Sequence, residues 1–145
     1  MIKAFGPSTW CEEMISKWAG RNPKGLGSLH SDDALTVYCK FFEQDHTIDA
    51  SCKDYEAGAG VDVEAQKKDQ EEGRKIKVPL LLVYSEDYIG SRYNFREVWK
   101  EWVDEGVDVQ TVALGGGIGH FGAEEAPRET AEAVNGWLET VVGVK

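Results

Sequence analysis

The chain is poor in the features that mark several large classes of protein. It has three cysteines, Cys11, Cys39 and Cys52, with no CxxC pair among them, so neither a disulfide framework nor a cysteine-rich metal site is expected. All three lie among apolar residues, where a thiol acts as a small hydrophobe, and a reducing compartment, the cytoplasm, is the expected location. No run of eighteen apolar residues occurs and the first thirty residues hold no signal-like core, so a membrane span or secretory leader is not expected. Positive charge is also scarce. Against 26 Asp and Glu stand 16 Lys and Arg, a net charge of -10 that repels nucleic acid and anionic lipid surfaces. A small-molecule partner is favoured, and no metal or cofactor is called for.

What remains is ample material for one domain: 145 residues, 41% hydrophobic and 10% aromatic. Residues 1–75 read as helices. In "STWCEEMISKWAG", Ser8 or Thr9 is the expected N-cap, Glu12 completes a capping box, and Trp10, Met14 and Trp18 form one stripe. "NPKGLGSLHSDD" reads as a Pro and Gly loop ending in a Ser31 cap, followed by a helix that buries Leu35, Tyr38, Phe41 and Phe42. A third helix over 45–56 places Ile48, Cys52 and Tyr55 on one face, and a charged helix then runs to Gly73.

The pattern changes at residue 78. "VPLLLVYS" is apolar on both faces and too short for a helix, as in a central parallel strand. "NFREVWKEWVDEG" predicts a helix capped by Asn94 and stopped at Gly106, with Phe95, Val98, Trp99 and Trp102 inward. "VDVQTVAL" is a second strand. The last helix carries Pro127 in its first turn and Ala131, Val134, Leu138 and Val141 as its buried stripe. The fold class is therefore α/β, with a helical segment over 1–75 and a strand-helix core over 76–145.

Between strand and last helix stands "GGGIGHFGAEEAP". Gly117, Gly119 and Gly122 match GxGxxG, but no second strand with a ribose-binding acid follows, and Glu124 and Glu125 place negative charge where a pyrophosphate would bind. The alternative is a turn that presents His120 at the carboxyl end of the sheet, where open α/β sheets gather their sites. His30 and His46 read as surface residues.

Four stretches, "CKDYEAGAGVDVEA", "KIKVPLLLVYSEDYIG", "EVWKEW" and "GIGHFGAEEAPRETAEAVNGWL", resemble consecutive blocks of the α/β-hydrolase family, in its fluoroacetate (haloacetate) dehalogenase and epoxide hydrolase branch. Gly119, His120, Phe121, Glu124, Glu125, Ala126 and Pro127 reproduce the family's pattern around its general base. The resemblance implies the C-terminal part of an α/β-hydrolase fold, its last two strands with flanking helices, preceded by a segment of the lid. It implies that an aspartate nucleophile forms an ester and that His120 activates the water that cleaves it. Tyr55 matches a tyrosine facing the leaving halide and Trp18 a tryptophan walling the pocket, although both also fit plain helical core stripes. Asp87, after the first strand, is either the carboxylate that orients His120 or a polar turn residue.

No G-x-D-x-G or G-x-S-x-G elbow occurs in these residues. The resemblance therefore implies a truncated form, nearly inactive by itself. The strand "VPLLLVY" is expected to expose an edge that pairs with another copy, and a non-catalytic interaction protein working through that edge is the alternative reading.

Overall fold

The computed structural model describes residues 1–143. It divides into two compact units, one of Met1–Lys17 and His30–Arg74, the other of Trp18–Leu29 and the chain from Lys75 onward. The division near residue 75 is thus joined by a second excursion, in which twelve residues from the helical stretch belong with the sheet.

The helical unit begins with α1 (Ile2–Phe5) and α2 (Pro7–Trp18). Proline fits the first helical position because the N–H it lacks would have had no helical partner there. The N–H of Trp10 reaches Gly6 O at 2.8 Å, so α2 starts before Ser8 and Thr9, and neither is the cap expected from the sequence. A 3-10 turn, Ser31–Asp33, leads into α4 (Ala34–Phe42), whose N-cap position is held by Asp33 in the left-handed region rather than by Ser31. Cys11, Leu35 and Cys39 form the buried centre, with Ile15, Tyr38 and Phe42 packed on it. Trp10 closes over Phe42 at 5.5 Å between ring centroids. Phe41, expected inward, is exposed: adjacent side chains on an α-helix point about 100° apart, so only one of two neighbouring phenylalanines can face α2, and Phe42 takes that place.

In α5 (Asp45–Ala59) only Ile48 is buried. Cys52 and Tyr55, on the same expected stripe, are both exposed. One large aliphatic side chain in fifteen residues gives the helix little apolar area with which to hold a neighbour along its whole length. The charged α6 (Val61–Glu71) buries nothing, and the chain turns at Gly73 with φ 66°, much as its composition suggests.

The second unit opens with α3 (Pro23–Leu29), where a loop was expected. Its signal is Asn-Pro: Asn22 Oδ1 accepts from the N–H of Lys24 (2.9 Å) and of Gly25 (3.3 Å), and Pro23 takes the first helical position. Two glycines hid this helix. One of them, Gly25, lets α3 approach the backbone of Glu125 closely, for a Cβ there would stand 3.1 Å from Glu125 O.

Strands β1 (Leu80–Ser85) and β2 (Val109–Leu114) pair in parallel from Leu80 opposite Val109 to Ser85 opposite Leu114, and are the two strands of the sheet among the described residues. Asn94 caps α7 (Phe95–Trp99), its Oδ1 accepting from Glu97 N. That helix does not reach Gly106. Ile76 N donates to Trp102 O and Asp104 N to Ile76 O, so a parallel bridge between Ile76 and Val103 takes the backbone that further helical turns would need. Val98, expected inward, is exposed.

After β2 come α8 (Gly122–Glu125) and α9 (Pro127–Val142). Leu114, Ile118 and Ala126 form the core with Val83. The expected stripe on α9 is largely open: Ala131 is exposed and Val134 and Leu138 are each 37% exposed, while Val141 is half-buried. Sixteen helical residues extend about 24 Å, and two strands spaced about 4.8 Å apart are too narrow to cover them.

Burial raises the Cys11 thiol to about 11, with Cys39 beside it adding to the effect. A raised folded pKa means that the native state holds this proton more tightly than the unfolded chain. The resulting stabilisation is complete below the unfolded value of 9.0 and is lost as pH rises toward 11. Urea melts of the helical unit should therefore weaken between those two values, and Cys11→Ala should flatten that part of the profile.

Candidate active site

Because β1 and β2 run parallel, their carboxyl ends open on one side, where the segments after Ser85 and after Leu114 meet. Ser85, buried, donates its hydroxyl to Ile118 O at 2.5 Å and accepts from Tyr88 N at 3.2 Å. Asp87 Oδ2 accepts from the N–H of Gly117 at 2.8 Å. Gly116 and Gly117 adopt φ of 73° and 82°, and this left-handed pair turns the chain so that Gly117 O faces the N–H groups of Arg21 (2.9 Å) and Asn22 (3.2 Å).

The segment 18–22 runs alongside this loop. Asn22 Nδ2 donates to Gly116 O at 2.7 Å, and His120 N donates to Trp18 O at 2.9 Å. At the centre Gly20 and Gly119 touch backbone to backbone: a Cβ on Gly20 would collide with Gly117 O and Gly119 N, and one on Gly119 would collide with Gly20 N. Beneath them lies Glu125, a carboxylate only 3% exposed. Its Oε2 accepts from Gly20 N (2.7 Å) and Gly119 N (2.9 Å), and its Oε1 from Phe121 N (3.0 Å).

His120 emerges from this frame with its ring among aromatics. Its centroid lies 5.1 Å from that of Trp18, 5.8 Å from Tyr88 and 4.9 Å from Phe121, each in an edge-on arrangement. The guanidinium of Arg92 sits over the Tyr88 ring, 5.5 Å from its centroid. The histidine remains exposed overall and borders a cleft of about 530 Å³ that also takes in Ser85, Tyr88, Ile89 and Phe95. An imidazole so placed is fixed by its backbone, walled by rings and open to solvent on one side, which suits a group that exchanges protons with water.

The glycine pattern is no phosphate cradle. A cradle needs free backbone N–H groups, and those of Gly117, Gly119, His120 and Phe121 are already held by Asp87, Glu125, Trp18 and Glu125 respectively.

Of the residues singled out in the sequence, His120 and Trp18 are brought together. Asp87 stands in the same loop network with its bond to Gly117, and no hydrogen bond joins it to His120 among the described residues. Tyr55 lies in α5 of the helical unit, 67% exposed. Ser85, Gly20, Asn22 and Tyr88 were not foreseen as parts of the site, and Glu125, named only within the pattern around His120, was given no role there. For Glu125 a signal exists: an acid four residues after Phe121, at the end of one helical turn, can reach back to N–H groups ahead of the helix, as in a capping box.

The fold is that of part of an alpha/beta hydrolase, and the chain spans about two fifths of the length of the relatives it matches. A protein from Nostoc sp PCC 7120 assigned to the alpha/beta hydrolases is 33% identical, with a TM-score of 0.79 over 94% of this chain and 43% of its own. A Pseudomonas aeruginosa protein assigned as an epoxide hydrolase superposes equally well, TM-score 0.79, over 97% of this chain and 45% of its own; at 24% identity that likeness is one of fold. Among curated proteins, a fluoroacetate dehalogenase of Burkholderia sp is 27% identical over 132 residues, 91% of this chain and 40% of that enzyme. No protein-family model matches the chain. Among the described residues, no helix is long and apolar enough to cross a membrane.

The close approach at Gly20 gives a paired test. Gly20→Ala forces a methyl group into backbone and should cost about 1–3 kcal/mol, whereas Gly27→Ala, inside α3 with open space around it, should gain about 0.5–1 kcal/mol. Chemical denaturation of the two variants reads both values.

Proposed function

We propose that the chain is the C-terminal, base-bearing portion of a hydrolase of the haloacetate dehalogenase and epoxide hydrolase kind. In this reading a carboxylate nucleophile displaces the halide, or opens the epoxide, to form an ester; His120 then takes a proton from water as that water attacks the ester carbonyl carbon, the product alkoxide leaves and is protonated to the alcohol, and the carboxylate is regenerated. The observation that carries it is the placing of His120 at the carboxyl rim of a parallel sheet, edge-on to Trp18 and beside an open cleft. The likeness to the Burkholderia fluoroacetate dehalogenase supports a small halogenated acid as the substrate class.

The other residues take graded parts. Trp18 walls the pocket and keeps water ordered near the imidazole. Asp87 acts on His120 through the Gly117 backbone it holds. Tyr55 is assigned to the leaving group, on the resemblance alone. The nucleophile is not among these residues, since no elbow motif occurs in them. Two unpaired thiols side by side in the helical core, Cys11 and Cys39, support a reducing, cytoplasmic setting.

A second reading is favoured by the sheet itself. With two strands described, β1 has a hydrogen-bonded neighbour on one side only, and Val78 just before it is 63% exposed. Such an edge suits pairing with a second copy of the chain. Sedimentation separates the two, because a monomer at high concentration counts against edge pairing.

The test of the first reading is halide release from haloacetates and hydrolysis of small epoxides. It is measured on the 145-residue chain alone and combined with the portion of the Burkholderia dehalogenase that the chain does not span. Background rates are expected alone. In the combined protein His120→Ala should lower turnover by about 10²–10⁴-fold and Asp87→Asn by less. Turnover that survives His120→Ala would refute the reading.

A further inference from the structure

We infer that Glu125 is the positioning residue of this site: its buried carboxylate sets the orientation of the His120 ring without touching the ring, and joins it to Trp18. The argument starts from where its three hydrogen bonds go. Gly119 and Phe121 are the residues on either side of His120, and both give their N–H to Glu125, at 2.9 and 3.0 Å. The backbone of His120 is therefore held from before and behind, and its own N–H is held by Trp18 O at 2.9 Å. Only the two side-chain torsions remain free, and three flanking rings restrict those.

The third bond carries the coupling. Gly20 N reaches the same oxygen, Oε2, as Gly119 N, at 2.7 Å. One oxygen can serve both only because the two glycines meet without side chains between them. Trp18, two residues before Gly20, is thereby carried to 5.1 Å from the imidazole. The aromatic wall and the imidazole are set by a single group.

A carboxylate is the one common side chain that can do this. It offers acceptors only, two oxygens with room for three N–H donors, whereas glutamine offers one acceptor and an NH₂ group. In either orientation of that amide, its NH₂ faces the N–H of Phe121 or those of both Gly20 and Gly119. Glu125→Gln keeps the size and loses at least one of the three bonds.

The geometry of this clamp stands independently of any activity; its bearing on a reaction rests on the proposed role of His120. The experiment accordingly reads structure, not turnover. Amide hydrogen exchange on the full 145-residue chain should show the N–H groups of Gly20, Gly119 and Phe121 protected, and Glu125→Gln should speed their exchange by about 10- to 100-fold. The pairing of β1 with β2, from Leu80 to Ser85, should keep its protection. The His120 ring protons should move toward the positions of an unstructured histidine as the ring leaves Trp18. Equal loss across the strands would show a general scaffold role and overturn the inference, as would unchanged exchange at the three amides. Should Glu125→Gln fail to fold, the unaltered chain decides: scalar couplings through the hydrogen bonds, from the Glu125 carboxyl carbon to the nitrogens of Gly20, Gly119 and Phe121, are expected, and their absence overturns it. A chain inert in every assay leaves this result standing, and so distinguishes failure of the clamp from failure of the proposed reaction.

Discussion

One carboxylate beneath two touching glycines is the constraint on which the rim of this sheet depends. Left alone, a loop with three consecutive glycines has many conformations and would present its histidine in none of them for long. Glu125 removes that freedom at two points of the loop, Gly119 and Phe121, and ties Gly20 of the segment after α2 to them, from inside the protein, where hydrogen bonds to a charged acceptor are not diluted by water. The other contacts extend the same frame. Asp87 fixes Gly117, Ser85 fixes Ile118 and Asn22 fixes Gly116, so the loop is pinned from β1 on one side and from the segment after α2 on the other.

This frame explains why residues 18–29 leave the helical stretch and belong with the sheet. Arg21 and Asn22 donate to Gly117 O, Gly20 shares Glu125, and Asn22 then caps the helix whose Gly25 rests against Glu125. A run of five residues thus holds the loop, starts a helix and brings an indole to the histidine. Elsewhere the unit is open. The outer turns of α9 and the edge of β1 carry apolar surface that two strands cannot cover, in keeping with a chain spanning about two fifths of the enzyme it resembles among curated proteins.

The strand-helix order, the parallel pair and the place of His120 were legible in the sequence because each depends on a local pattern: continuous apolar runs for the strands, an Asn cap for α7, a glycine turn before the histidine. The elements that were not legible depend on partners distant in the chain. α3 was hidden by Gly25 and Gly27, since glycine counts against a helix unless another backbone needs the space. α7 stops early because Ile76 claims Val103, twenty-seven positions away. The exposure of Tyr55, Cys52 and Phe41 follows from which faces found a neighbour, which helical periodicity alone does not reveal. The sequence marks Glu125 as a negative charge at a helix start within the pattern around His120; its burial depends on Gly20, 105 residues earlier in the chain, and no local pattern carries that.

The central claim is that the segment after α2 and the glycine loop form one rigid frame that keeps Trp18 against His120. Nuclear Overhauser contacts between the indole protons of Trp18 and the imidazole protons of His120, recorded on the unaltered chain in solution, test it most directly. The account predicts strong contacts at a separation matching ring centroids 5.1 Å apart. A histidine ring showing no contact to Trp18, with the signals of a freely rotating side chain, would contradict it.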